Sequence, residues 1–361
     1  MTERKVNFNP GPAALPLEVL KTVQAELLDY QGTGISILES SHRSKEYEAV
    51  NDATIALVRE VLGLGSNYHV LFVGGGASTQ FALIPMNFVA AGKTAAYVDT
   101  GSFANKAMKE AQAVCNVHVA FSSKADSYRR IPAMNEIEFP SDVAYLHLCS
   151  NNTIEGTQFQ EFPNTGNVPL VADMSSDIAS RQLDYTKFAL FYAGAQKNLG
   201  PAGVTLVVVR DDFLATARQD LPGILRYRTH ADSKSLYNTP PVFGVYMMKL
   251  VLEWIKSKGG LAGVEKMNRH KKDLLYGAID AAPDFYLGAA DRDSRSWMNV
   301  TMRLPNEDLE GRFIAEAAKE GLLGLKGHRS VGGIRFSIYN AVTVEDIQKT
   351  VDFMERFRKS A

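Results

Sequence analysis

Seven short apolar runs alternate with amphipathic stretches between about residue 50 and residue 210, and this rhythm constrains the fold more than anything else in the chain. The runs are Val70–Val73, Ala95–Val98, Val117–Phe121, Val143–Leu148, Leu170–Ala172, Phe188–Tyr192 and Val204–Val209. Several are β-branched and apolar at consecutive positions, as strands covered on both faces should be. Before the first of them, Val50, Ala53, Leu57 and Val61 fall on one face of a helix. The alternation predicts an α/β fold: a mainly parallel seven-stranded sheet with helices on both faces. Ligands of such sheets bind outside the carboxyl ends of the strands.

The pattern changes after about residue 240. Phe243–Ser257 and Leu261–Ala281 read as long helices, and strands follow near Trp297–Met302 and Ile334–Tyr339. A last helix runs from Val344, capped by Thr343, to about Arg358. Pro10–Pro12 rules out helix near the start and suggests an irregular arm. A length of 361 residues suggests two domains. The expected division is an arm over 1–15 that joins the small domain, a large α/β domain over 16–260, and a smaller α+β domain over 261–361.

Charge and cysteine content narrow the function. The formal net charge is -1, so no global field favours nucleic acid or an anionic membrane, and any anion site must be local. Cys115 and Cys149 give no disulfide framework and no metal-binding pair, and both sit in apolar runs that suit buried reduced thiols. The opening MTERKVNFNPGPAALP holds no signal-like apolar run, and no stretch approaches ~18 uncharged apolar residues. A cytoplasmic protein without nucleic-acid, membrane or metal partners is expected.

Three segments carry chemistry. In YHVLFVGGGASTQFALIP a strand ends at Val73, three glycines follow, and a helical pattern starts near Ser78. Such a turn lets backbone N–H groups approach an anion, although a plain strand-to-helix turn would look the same. It is no Walker loop, and Thr79 stands where the dinucleotide fingerprint needs its third glycine. In VPLVADMSSDIASR, Asp173 ends a strand and so lies at the ligand edge, where a helix cap, a metal ligand and a cofactor partner are all open readings. In FALFYAGAQKNLGPAG, Lys197 follows another strand among small residues that leave room for something flat. A phosphate cup, a later Asp and a later Lys are the parts of a pyridoxal-phosphate site. Lys197 would hold the aldehyde as a Schiff base and later act as general base, and Asp173 would keep the pyridine nitrogen protonated. Two His-Arg pairs, His42-Arg43 and His328-Arg329, together with Arg335, offer forks that match carboxylate and phosphate oxygens. His69, His118 and His147 lie in strand runs and read as core or edge residues.

The stretches FNPGPAALP, SHRSKEY, GGGASTQ, YVDTGSF, LCSNNTIEGTQF, DMSSDIASR, YAGAQKNLGPAG, NTPP and GHRSVGGIRFSIYNA occur in this order along essentially the whole chain. On them the chain resembles the class V aminotransferases among the fold-type I pyridoxal-phosphate enzymes. Within that class it looks like the branch that exchanges an amino group between glutamate and 3-phosphohydroxypyruvate by a ping-pong route. The resemblance also reaches amination of a phosphorylated hydroxy-oxobutanoate on the way to pyridoxine. It implies that Gly76, Ala77 and Ser78 hold the cofactor phosphate, together with Gln196. It implies that Phe103 stacks on the pyridine ring, where many relatives carry Trp, and that Thr153 bonds near the phenolic oxygen. It places Asn238 and Thr239 at the phosphate of a neighbouring subunit, so that a homodimer shares its sites. It assigns the substrate α-carboxylate to Arg335. It assigns the phosphate, or the glutamate side-chain carboxylate, to His328, Arg329 and the neighbour's His42 and Arg43.

Three other readings compete with this one. Cysteine desulfurases share the fold but need a cysteine late in the chain, and none follows Cys149. A catalytically dead scaffold has no need for both Asp173 and Lys197. A nicotinamide dehydrogenase fails on the glycine fingerprint.

Overall fold

The structure is a computed structural model and describes residues 4–361. The chain enters through a short strand β1 (Val6–Asn7) and helix α1 (Leu17–Glu26). Helix α2 (Lys45–Leu62) starts on Ser44, whose side chain accepts from the Tyr47 N–H, and stops at Gly63 in the left-handed conformation. Its buried stripe includes Val50, Thr54, Val58 and Val61, shifted from the expected Val50, Ala53, Leu57 and Val61. Thr54 joins the core because its hydroxyl donates to the Val50 carbonyl at 2.6 Å, so a polar residue is buried without an unmet bond.

The α/β region then follows in order: β2 (Tyr68–Val73), α3 (Gly76–Phe88), β3 (Thr94–Asp99), α4 (Ser102–Gln112), β4 (Asn116–Ser122) and β5 (Leu146–Cys149). A small hairpin of β6 (Asn151–Asn152) and β7 (Thr157–Gln158) comes next. The sheet is completed by β8 (Leu170–Asp173), β9 (Leu190–Gly194) and β10 (Thr205–Arg210). Each of the seven apolar runs supplies one strand, and the sheet order is β2-β10-β9-β8-β5-β3-β4. All pairings are parallel except those of β10, which runs antiparallel to both its neighbours. Burial on two sides explains the consecutive apolar residues. In β8, Leu170 and Ala172 join the core under α2 and a later helix, while Val171 joins the one under α3 and α4.

After β10 come α5 (Asp211–Ala215), α6 (Tyr227–Asp232), α7 (Val242–Ser257) and α8 (Gly260–Asp280). The last unit contains β11 (Leu287–Gly288), β12 (Asn299–Arg303), α9 (Glu307–Lys319), β13 (Leu322–Leu323), β14 (Ile334–Ser337) and α10 (Val344–Ser360). Strands β11, β12 and β14 form an antiparallel sheet. The arm is not wholly irregular: Val6 and Asn7 pair in parallel with Leu322 and Leu323, and Phe8 is buried in the same core as Phe313 and Phe336. The expected strand over Ile334–Tyr339 ends at Ser337 because the chain turns. Lys271 of α8 explains the stop. Its ammonium donates to the carbonyls of Ile338, Tyr339 and Val342 at 2.9, 2.8 and 2.9 Å, taking acceptors that a longer ladder would need. Helix α10 begins at the expected residue, with Thr343 and Asp346 forming a capping box.

Candidate active site

Strands β2, β3, β5, β8 and β9 all run the same way, so their carboxyl ends share one edge of the sheet. That edge carries the candidate residues. Beyond β2, Gly75 and Gly76 have φ of +89° and +66°, which a side chain would resist, and they turn the chain straight into α3. Helix α3 therefore starts at Gly76, two residues before the expected Ser78, and the N–H groups of Gly76, Ala77 and Ser78 belong to its open first turn. The Thr79 hydroxyl donates to the Gly75 carbonyl at 2.9 Å. The side chain that breaks the dinucleotide fingerprint thus holds the glycine turn together.

Beyond β3, Phe103 is the second residue of α4. Beyond β5, the β6–β7 hairpin presents Thr153. Lys197 follows β9 by three residues, is half-buried, and its Nζ donates to the Thr153 hydroxyl at 2.6 Å. The same Nζ stands 5.4 Å from the centre of the Phe103 ring. Asp173 ends β8, is buried, and accepts from the Ser175 N–H at 2.9 Å. No helix starts directly after it, only a run of turns, so the helix-cap reading of Asp173 falls away.

Burial lowers the Lys197 pKa, and the Asp173 charge opposes that shift. Burial raises the Asp173 pKa, opposed by the hydrogen bonds to Ser175 and by the Lys197 charge. Each group therefore favours the charged form of the other. Arg335 is buried on β14 and donates to the Thr153 carbonyl at 3.3 Å, leaving its Nε without a partner. Thr153 thus joins Lys197, beyond β9, to Arg335 on β14.

The remaining candidates sit elsewhere. His42 and Thr239 meet each other, with Thr239 Oγ1 and His42 Nδ1 3.3 Å apart, and Asn238 lies beside them. Asn238 and Thr239 are exposed and line a hollow behind the Gly74–Gly75 turn. Arg43 and Arg329 are exposed, and His328 shares a hydrogen bond of 2.7 Å with the Ser330 hydroxyl on its own loop. Neither His-Arg pair is hydrogen-bonded to Lys197, Thr153 or Arg335 among the described residues. The strand histidines are structural. His147 is buried and bonded to the Tyr192 hydroxyl at 2.9 Å, His69 pairs with Asp211, and His118 bonds the Glu138 carbonyl at 2.9 Å. Cys149 is buried, whereas Cys115 is only half-buried, next to the surface end of α4.

Sequence reasoning missed the arm's part in this site. The Ala13 N–H donates to the Gln196 carbonyl at 2.9 Å, and the Tyr339 hydroxyl donates to the Pro10 carbonyl at 2.9 Å. A Cβ on Gly11 would stand 3.4 Å from Cγ of both Gln196 and Lys197. It also missed Asn198 and Asn340, which tie the lysine loop to the turn after β14 at 3.0 Å. These contacts span more than 140 residues, and only the presence of the residues inside the quoted motifs hinted at them. Among the described residues, no group of three His, Cys, Asp or Glu side chains could hold a metal, and no helix is long and apolar enough to cross a membrane.

A half-buried lysine at one strand end, a buried carboxylate at the next and an aromatic ring beside the amine match a class of enzyme, and the sequence pattern of class V aminotransferases covers residues 5–350. The chain belongs to the class V aminotransferase family. It is 56% identical over 360 residues to the phosphoserine aminotransferase of Niallia circulans, covering 100% of this chain and 99% of that one. It is 50% identical over 357 residues to the phosphoserine aminotransferase of Bacillus subtilis strain 168, covering 99% of each. The solved phosphoserine aminotransferase of Bacillus circulans subsp. alkalophilus superimposes with a TM-score of 0.98 at 56% identity, covering 99% of both chains. A pyridoxal-phosphate-bound phosphoserine aminotransferase from Trichomonas vaginalis does so with a TM-score of 0.92 at 36% identity, covering 98% of this chain and 100% of that one.

Proposed function

We propose that this protein reversibly exchanges an amino group between L-glutamate and 3-phosphohydroxypyruvate, giving 2-oxoglutarate and O-phospho-L-serine, with pyridoxal 5'-phosphate as cofactor. The observation that carries the reading is the Lys197 amine held at 2.6 Å from the Thr153 hydroxyl and 5.4 Å from the centre of the Phe103 ring, with the Asp173 charge near enough to oppose the fall in its pKa. When bound, the cofactor supplies an electron sink for the bond broken at the substrate α-carbon.

The chain's own residues do the rest. Lys197 anchors the cofactor and, once released by a substrate amine, moves the proton on and off the α-carbon through Nζ. Burial favours its neutral amine, which a base requires. Asp173 pairs by a charge-assisted bond with the pyridinium nitrogen, and its buried charge has Ser175 as a fixed donor. The open N–H groups of Gly76, Ala77 and Ser78, with Gln196, receive the cofactor phosphate. Arg335 orients the substrate α-carboxylate, and its partnerless Nε leaves a donor free for it. Phosphate or side-chain carboxylate is taken by His328 and Arg329 with His42 and Arg43 of the partner subunit.

Exposed Asn238 and Thr239, with half-buried His42 against Thr239, support a homodimer whose chains complete each other's sites, because these residues lie together and none is hydrogen-bonded to its own chain's Lys197. We propose the same division into an arm (1–15), a large domain (16–260) and a small domain (261–361). The two free cysteines suit the cytoplasm.

The test is a half-reaction. Loaded enzyme mixed with glutamate alone should shift its visible band and release one 2-oxoglutarate per site. A band that does not move, with no 2-oxoglutarate formed, would end this reading. Serine should be a very poor donor, because it leaves the anion-binding charges unmatched.

A further inference from the structure

Glu155 lies two residues beyond Thr153, in the turn of the β6–β7 hairpin, and is 8% exposed. The mechanism above gives it no role. Its Oε1 accepts from both the N–H and the hydroxyl of Ser102, at 2.8 and 2.6 Å. Ser102 opens α4, and Phe103 is the next residue. A carboxylate suits that place, since it meets the open Ser102 N–H at a helix start. The fit is close: a Cβ on Gly101 would lie 2.8 Å from Glu155 Oε2 and 2.5 Å from Asn152 Oδ1.

The same residue reaches the other unit. Its backbone carbonyl accepts from the Thr301 hydroxyl at 3.0 Å, and Thr301 is the cross-strand neighbour of Arg335. Glu155 and Arg335 line one cleft of about 480 Å³ between the two units. Glu155 Oε2 and Arg335 Nε are both buried without a partner. Burial pushes the Glu155 pKa up, and the two bonds from Ser102 oppose that shift.

We propose that Glu155 is a positioning residue: it fixes the first turn of α4, and so the Phe103 ring, against the cofactor face, and joins that turn to the strand pair that carries Arg335. The proposal rests on the cofactor placement given under Proposed function. Its distinguishing feature is that the acceptor matters more than the charge. Glu155→Gln keeps a carbonyl oxygen for Ser102, whereas Glu155→Ala removes the acceptor altogether.

The experiment uses full-length chains stripped of cofactor and titrated with pyridoxal phosphate, reading the dissociation constant and the position of the visible band. Loss of a charge-assisted pair of bonds should weaken cofactor binding about tenfold in Glu155→Ala and displace the band. Glu155→Gln should stay within about threefold of the parent, and Ser102→Ala, which loses only the hydroxyl bond, should fall between them. Parent affinity and an unmoved band in Glu155→Ala overturn the proposal, as does a Gln variant as weak as the Ala variant. If Glu155→Ala does not fold, parent affinity in Ser102→Ala overturns it instead. If the parent chain itself takes up no pyridoxal phosphate, the cofactor reading has failed, and this is visible before any variant is compared.

Discussion

The two halves of the candidate site are built differently. The cofactor half lies at strand ends, with Asp173 and Thr153 buried, Lys197 half-buried, and each held by a named hydrogen bond within one chain. The anion half, apart from buried Arg335, lies on loops: Arg43 and Arg329 are exposed, and His42 and His328 are half-buried. Chemistry that demands fixed geometry sits on the rigid sheet, where packing on both faces leaves little freedom. On the proposed function, recognition of two unlike anions, a phosphate and a carboxylate, falls to side chains that can readjust. The first half should therefore fail steeply when altered, and the second by degrees.

The steepest failure is expected at Lys197. Lys197→Ala should still bind cofactor but lose turnover by far more than the roughly 10²–10⁴ that one general base contributes, because anchoring and proton transfer vanish together. In the parent enzyme, borohydride should fix the cofactor on the peptide that contains Lys197, and label on another lysine would remove it from this role. Asp173→Asn comes next. It keeps the shape and removes the charge, and a rapid-mixing measurement with glutamate should show proton transfer slowed by roughly 10²-fold. A parental rate would show that the pyridine nitrogen needs no carboxylate.

The comparison is sharpest where the proposed shared site makes one half depend on a second chain. Lys197→Ala chains mixed with Arg43→Ala chains should regain activity after subunit exchange, since one site of each mixed dimer has both residues intact. Random pairing makes half the dimers mixed, so about a quarter of all sites recover. Exchange verified without recovery would return Arg43 to its own chain's site. Within the anion half, a charge-assisted contact is worth about 1.5–3 kcal/mol, so Arg329→Ala should lower kcat/KM by one to two powers of ten. The loss should be larger for phosphoserine than for glutamate, and Arg335→Ala should hurt both alike. An Arg329→Ala variant that discriminates phosphoserine from serine as the parent does would show that this loop does not read phosphate.

The same contrast sets what the sequence could reveal. The seven strands were legible because burial on two faces writes itself as unbroken apolar runs. Lys197 and Asp173 were legible because each follows such a run, which alone puts it at the ligand edge. Phe103 and Thr153 could not be read from spacing, since loop residues carry no period, and only the resemblance named them; the two His-Arg pairs stood out as anion forks, and only the resemblance said which anion each would take. Glu155, Lys271 and the arm contact at Gln196 escaped both routes. Their partners lie 53, 67 to 71 and 183 residues away, and no local pattern encodes such distances. The shifted stripe of α2 failed for another reason: a threonine that bonds its own helix passes for an apolar residue.

The smallest effect expected is one of stability, and it tests the buried half by acid. His147 sits inside the sheet with Nε2 at 2.9 Å from the Tyr192 hydroxyl and Nδ1 without a partner. Burial lowers its pKa from 6.5 to about 3. A folded-state pKa below the unfolded value means that the unfolded chain binds the extra proton between those limits. Stability from this group is therefore complete above about pH 6.5 and declines as pH falls toward 3, at up to about 1.4 kcal/mol per pH unit. His147→Gln cannot take up that proton and keeps a polar partner for Tyr192. Between pH 7 and pH 5 the urea midpoint of the parent should drop by more than that of the variant, although the variant starts lower from imperfect packing. Parallel declines in the two chains would mean that His147 is not the group that couples the folded sheet to acid.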